Sequence, residues 1–182
     1  MATTLTPFPE IGISCPDFSL PSVDGKNYCL DDFKKNKPLV VVFICNHCPY
    51  VKAIEDRLIE LGRSLKSLGI PMVAICSNDE NSHVEDRLEN LAKRASEKNY
   101  PFPYLHDKHQ SAARSFGALC TPDYFVYDHE LKLAYRGRLD DSWKDPSKVT
   151  RHELLNAVKL LAVGQPAPEN QIPSMGCSIK WV

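Results

Sequence analysis

The 182-residue chain lacks an excess of either charge: 22 basic side chains stand against 23 acidic ones, for a net charge of −1. Without a long-range field nothing gathers phosphates or anionic lipid, so neither nucleic acid nor a membrane surface is expected as a partner. It also lacks any apolar run long enough to span a bilayer, and Met1 to Ile13 carry no basic residue, which together give a cytoplasmic expectation. No internal repeat or low-complexity tract is present, which excludes a solenoid. The seven cysteines are odd in number and scattered, unlike a small secreted scaffold held by disulfides, so most are expected as reduced thiols.

What is present is an ordinary globular composition, 43% hydrophobic and 25% charged. The length suits one α/β domain, 1–163, and the proline-rich stretch from Gln165 to Pro173 sets off a tail, 164–182. Asp24-Gly25 tolerates the positive φ of a tight turn between Phe18–Leu20 and Tyr28–Leu30, which predicts a short β-hairpin. Leu39 to Ile44 reads Leu-Val-Val-Val-Phe-Ile, a β-branched run suited to a central parallel strand covered on both faces. Val51, Ile54, Leu58, Leu61, Leu65 and Leu68 then recur in steps of three and four, the stripe of a long amphipathic helix that Gly69 ends.

Strand and helix continue to alternate. Ile70 to Cys76 reads as a strand, and Ser82 with Glu85 suggests a capping box for a helix carrying Val84, Leu88, Leu91 and Ala95. A short strand near Tyr104, a small helix over Ser111–Phe116, and strands at Tyr124–Tyr127 and Lys132–Arg136 follow. A last helix, with Thr150 and Glu153 as its expected capping box, turns Leu154, Val158 and Leu161 to one face.

Between the apolar strand and the long helix lies Cys45-Asn46-His47-Cys48-Pro49. A Cys-x-x-Cys pair in that place reads as a redox dithiol, and no second such pair exists to complete a four-thiolate metal site, so no metal and no organic cofactor are expected. Pro49 has no N–H and belongs in a first helical turn, which puts both thiols at a helix N-terminus. There the orphan N–H groups and the macrodipole favour a thiolate, expected on Cys45, with Cys48 resolving the mixed disulfide. His47 is expected to add positive charge near Cys45 and make the couple less reducing than thioredoxin's.

Three blocks carry a resemblance over about Gly12 to Leu161: Cys15-Pro16-Asp17-Phe18-Ser19-Leu20 with Asp24-Gly25; Phe43-Ile44-Cys45-Asn46-His47-Cys48-Pro49; and Thr121-Pro122-Asp123-Tyr124-Phe125-Val126-Tyr127-Asp128. The chain resembles the thioredoxin-like superfamily, in its peroxiredoxin-like branch of alkyl hydroperoxide reductase and thiol-specific antioxidant proteins. The resemblance implies a thioredoxin fold: a central mixed β-sheet flanked by helices, extended by the N-terminal hairpin and the C-terminal tail. It further implies a cis Thr121-Pro122 peptide beside the dithiol, with Thr121 backbone groups free to bind an extended substrate. Two positions depart from thioredoxin: Ile44 replaces the tryptophan before the first cysteine, and Leu39 stands where a buried proton-accepting aspartate is usual. Cys48-Pro49 aligns with the peroxidatic Cys-Pro pair of peroxiredoxins, but Cys45 replaces the usual threonine or serine and Pro122 falls where the peroxide-orienting arginine would be. The Ser174–Trp181 segment resembles the tail of the same branch, and its Cys177 could be a third redox thiol, or the tail could dock through Ile179 and Trp181.

Three readings follow. The first is a thiol-disulfide oxidoreductase that reduces or exchanges disulfides through Cys45 and Cys48, with a disulfide-containing protein or small molecule as substrate and a reductase or low-molecular-weight thiol as electron donor. The second is a thiol peroxidase with Cys48 as the peroxidatic residue, and the third a non-catalytic thioredoxin-like binding module. Cys15, Cys29, Cys76 and Cys120 read as packing residues, and His106 and His109 as solvated turn residues.

Overall fold

The computed structural model describes residues 3–34 and 36–182; Met1, Ala2 and Lys35 of the expected domain lie outside the described residues. In chain order its elements are β1 (Thr3–Leu5), β2 (Ser19–Pro21), β3 (Asn27–Cys29), β4 (Leu39–Phe43), α1 (Pro49–Ser67), β5 (Met72–Cys76), α2 (Leu88–Lys98), β6 (Tyr104–His106), α3 (Ser111–Phe116), β7 (Cys120–Thr121), β8 (Asp123–Tyr127), β9 (Leu133–Tyr135), α4 (Glu153–Ala162) and β10 (Met175–Ser178). Five strands form the central sheet in the order β6-β5-β4-β8-β9. β4 runs parallel to β5 and β5 to β6, whereas β8 is antiparallel to both β4 and β9. The sheet is therefore mixed, as a thioredoxin fold requires, and the central strand is parallel to only one of its neighbours.

The β4 sequence explains its place. Successive side chains of a strand point to opposite faces, and here Val40 and Val42 join Ile44 in the core beneath α1 and α4, while Leu39, Val41 and Phe43 join the core on the other face. Every residue of β4 is buried, so only an uninterrupted apolar run can occupy it. The second core is closed by Phe18, Leu20, Leu30 and Phe33 from the β2–β3 hairpin, whose turn puts Gly25 at φ +81°. α1 ends where expected, with Gly69 in the left-handed region at φ +66°.

Two expected capping boxes do not form. Ser82 belongs to a turn around Asp79, where its N–H donates to the Asp79 carboxylate at 3.2 Å, and α2 begins only at Leu88 after a 3₁₀ turn over Val84–Asp86. That delay leaves Val84 exposed and Leu88 half-buried, with Leu91 and Ala95 alone in the core. Likewise Thr150 donates to Asp141 at 2.5 Å instead of capping α4, and Glu153 pairs with Arg138 at 2.6 Å. Both signals named real helices but misplaced what satisfies their first turns.

At the start of β8, Arg136 binds Asp123 at 2.8 Å, donates to the Gly117 carbonyl and lies over the Phe125 ring at 4.4 Å. Both charged side chains are nearly inaccessible, at 8% and 0% exposure. Burial pushes the Asp123 carboxyl upward, against the pull of the guanidinium. Arg136→Ala leaves that carboxylate buried without its cation and should cost about 3–5 kcal/mol, read as a lowered denaturant midpoint at unchanged m-value.

The tail does not stay apart from the domain. β10 lies between β1 and β7 in a three-stranded antiparallel sheet, Cys177 opposite both Thr3 and Thr121. Beyond it Ile179 is buried in the core with Phe116 and Phe125, Arg114 covers the Trp181 ring at 4.6 Å, and Lys180 donates its backbone N–H to Asn78 Oδ1 and accepts from the Asp79 N–H. Docking through Ile179 and Trp181 is thus what the sequence pattern of the tail encodes.

Candidate active site

The first cysteine lies just past β4 and the second caps α1, so the apolar strand and the amphipathic helix fix both sulfurs. Cys48 is the N-cap, with extended backbone, and Pro49 occupies the first turn where its missing N–H costs nothing. Cys45 Sγ lies 3.2 Å from Thr121 Oγ1, and Cys48 Sγ 3.1 Å from the Thr121 carbonyl oxygen. The Thr121-Pro122 peptide is cis, as the resemblance implies. Cys45 and Cys48 are hydrogen-bonded to each other, and Cys48 is bonded also to the Cys177 thiol. Three thiols and one threonine thus converge on a single point.

The charge in this cluster does not sit where the sequence suggests. Cys48 is lowered to about 4, first by the hydrogen bond from Cys45 and then, against burial, by the N–H groups of Val51 and Cys177 and by the Cys177 thiol. One contact works the other way, since the approach to the Thr121 carbonyl suits a protonated sulfur; several donors outweigh that one acceptor. Cys45 is raised well above an ordinary thiol, by burial, by its bond to Cys48 and by the nearby Asp86 carboxylate. The shifts run opposite to the expected activation of Cys45: the helix N-terminus lies at its N-cap, Cys48, while burial and Asp86 push Cys45, three residues earlier, upward.

His47 also departs from its expected role. Its Nδ1 lies 2.6 Å from Asp86 Oδ2, its ring stacks on His83 at 3.9 Å, and its Nε2 is buried with no hydrogen-bond partner. Asp86 in addition accepts from the Asn46 N–H at 2.7 Å and from Asn78 Nδ2 at 2.9 Å. Against the upward push of burial, these donors hold its carboxyl below the usual 3.8. The Cys45 sulfur, an imidazole nitrogen of His47 and an Asp86 oxygen lie within 4.8 Å of one another. Instead of placing bare positive charge beside Cys45, His47 brings a carboxylate with it.

Asp86 and His83 were not legible as site residues, because the 3₁₀ turn that delivers them reads in sequence as the start of α2; Asn78 comes to them from just past β5. A group whose folded pKa is depressed adds stability above its unfolded value that is lost as pH falls through the folded one. The Asp86 contribution is accordingly complete above about pH 3.8 and disappears below it. Asp86→Asn should lower stability at neutral pH and flatten the acid limb of the unfolding midpoint against pH.

The backbone of Thr121 is not free, contrary to expectation: β10 pairs with it. Neither reactive sulfur reaches solvent, with Cys45 1% and Cys48 0% exposed. Burial pushes Cys15 up to about 12 and raises Cys76 and Cys120 as well, in keeping with packing roles; the Cys120 sulfur points at the Pro122 carbonyl, 3.6 Å away. His109 is exposed as expected, but His106 is buried at 4% and faces Glu80 at 3.6 Å. No described helix is long and apolar enough to cross a membrane.

Residues 11–136 match the model of the AhpC/TSA family. No curated protein matches the chain. Among solved structures, an uncharacterized conserved protein from Geobacillus kaustophilus is 42% identical with a TM-score of 0.94, the match covering 100% of this chain and 97% of that one. A hypothetical protein from Sinorhizobium meliloti 1021 is 37% identical with a TM-score of 0.94, over 98% of each chain. The likeness to Peroxidoxin BcpB from Mycobacterium tuberculosis, 22% identical with a TM-score of 0.56 over 68% of this chain and 82% of that one, lies in the fold.

Proposed function

Because the chain belongs to the AhpC/TSA family and carries two hydrogen-bonded thiols at the N-terminus of α1, we propose that it is a thiol-disulfide oxidoreductase using Cys45 and Cys48. The observation that carries this reading is the pair of sulfurs held at one residue, Cys45 Sγ 3.2 Å from the Thr121 hydroxyl and Cys48 Sγ 3.1 Å from its carbonyl oxygen, with Cys48 lowered and Cys45 raised. That is what a nucleophile and a resolving thiol require.

The Cys48 thiolate attacks a disulfide, a Cys48 mixed disulfide forms, and the first substrate sulfur leaves as thiolate. Cys45 then passes its proton toward the His47–Asp86 pair and attacks Cys48. The second substrate sulfur departs, two electrons having moved to the substrate and a Cys45–Cys48 disulfide remaining. A reductase or a low-molecular-weight thiol resets it. Stabilising the thiolate favours the dithiol over the disulfide, so the couple is less reducing than thioredoxin's. His47 and Pro49 act as positioning residues, the first through Asp86 and the second by starting α1 at Cys48.

Trapping tests the order of events. With an activated small disulfide, Cys45→Ser/Cys177→Ser, which removes both neighbouring thiols, should accumulate a mixed disulfide on Cys48, identified by intact mass and peptide mapping. Accumulation on Cys45 in Cys48→Ser, with none in Cys45→Ser/Cys177→Ser, would restore the opposite order.

A second reading, thiol peroxidase, is favoured by the depressed Cys48 alone. The arginine nearest in sequence beyond Pro122, Arg136, is held by Asp123 and the Gly117 carbonyl. Disulfide exchange needs no such cation, and the oxidoreductase reading stands ahead.

A further inference from the structure

The mechanism above uses two of the three thiols that meet at Thr121. The third, Cys177, arrives on β10, antiparallel to β7 with Cys177 opposite Thr121. Its sulfur and its backbone N–H both bond to Cys48. The approach is built in: a β-carbon on the neighbouring Gly176 would lie 2.5 Å from the Thr121 carbonyl carbon, so only glycine lets the strand come this close. Ser174 secures the other end by donating from Oγ to the Pro122 carbonyl at 2.9 Å and from its N–H to Thr6 Oγ1 at 3.0 Å. Cys48 is thus the central sulfur of a three-thiol chain, bonded to Cys45 on one side and to Cys177 on the other.

We propose that Cys177 is a third redox thiol, a built-in exchange partner that accepts the disulfide from Cys45 and forms a Cys48–Cys177 bond. The inference rests on the dithiol function proposed above. In the step, deprotonated Cys177 attacks the Cys48 sulfur of the Cys45–Cys48 disulfide. The Cys48–Cys177 bond forms, the Cys45–Cys48 bond breaks, and Cys45 leaves as thiolate and takes up the proton that Cys177 released. No electrons enter or leave the protein. The tail lies where an extended disulfide substrate would pair with Thr121, and once bonded it covalently closes the site over the dithiol. An external thiol must then attack this bond to reopen it.

Disulfide mapping after acid quench and alkylation, in glutathione redox buffers, tests the step on the full chain. Cys45→Ser should form the Cys48–Cys177 bond in one two-electron transition, and Cys177→Ser should form only Cys45–Cys48. Gly176→Ala, which forces β10 away from Thr121, should keep Cys45–Cys48 and lose Cys48–Cys177. If Cys45→Ser instead yields glutathione on Cys48 with Cys177 a free thiol, while the wild type still forms Cys45–Cys48, the tail only covers the site and the proposal fails with the dithiol function intact. If the wild type forms neither bond, the dithiol function falls and the relay with it.

Discussion

Cys48→Ala is expected to reduce disulfide turnover by about 10³-fold or more, because the thiols left beside it, Cys45 and Cys177, are both raised. The expectation is not symmetric between the two cysteines. Cys45, the Val51 N–H and Cys177 all act on Cys48, whose thiol is lowered to about 4. At neutral pH it is ready as thiolate, whereas Cys45 is raised and must first lose its proton. Cys45→Ala/Cys177→Ala, which also removes the third thiol, should therefore spare the first attack and halt the cycle at the mixed disulfide, giving a single stoichiometric burst of released substrate thiol. Cys48→Ala should give neither burst nor turnover. Stopped-flow release of a chromogenic thiol separates the two, and equal bursts from both variants would sink the assignment of Cys48 as nucleophile.

How far the sequence reaches is visible in the same residues. Cys45, Cys48 and Pro49 were legible because a strand, a dithiol and a helix start follow one another along the chain, and local spacing alone places the sulfurs. The mixed character of the sheet and the cis Thr121-Pro122 peptide came from the resemblance and are found as it implies. The lowering falls on Cys48 and not on Cys45 for a physical reason: charge within the pair depends on which sulfur lies near N–H donors and which faces a carboxylate. Asp86 reaches the site from 41 residues beyond Cys45 through a 3₁₀ turn, and Cys177 from across a proline-rich crossing. Periodicity and propensity carry no record of such non-local contacts. The two failed capping boxes make the same point on a smaller scale, since Ser82 and Thr150 each found an aspartate closer than the helix they were expected to cap.

Gly176→Ala should raise the rate of Cys48 alkylation by about a hundredfold, equivalent to about 3 kcal/mol of lost closure. In the closed protein Cys48 is inaccessible, and alkylation at Cys48 must wait for β10 to leave. The added methyl group cannot be absorbed by a flexible neighbour, because what it meets is the Thr121 carbonyl and the Pro122 nitrogen, both backbone. The strand has to shift, while Ile179 and the Lys180 bonds to Asn78 and Asp79 still hold the end of the tail. Opening should thus be local, with the denaturant midpoint moving far less than the alkylation rate. Cys177→Ser provides the contrast: it keeps the backbone pairing and the N–H to Cys48 but removes the third sulfur, so its alkylation rate should stay near that of the wild type. A Gly176→Ala protein that alkylates no faster than the wild type would mean that β10 is not what excludes reagents from Cys48. A Cys177→Ser protein that opened as widely as Gly176→Ala would mean that the sulfur contact, not the strand, holds the site shut.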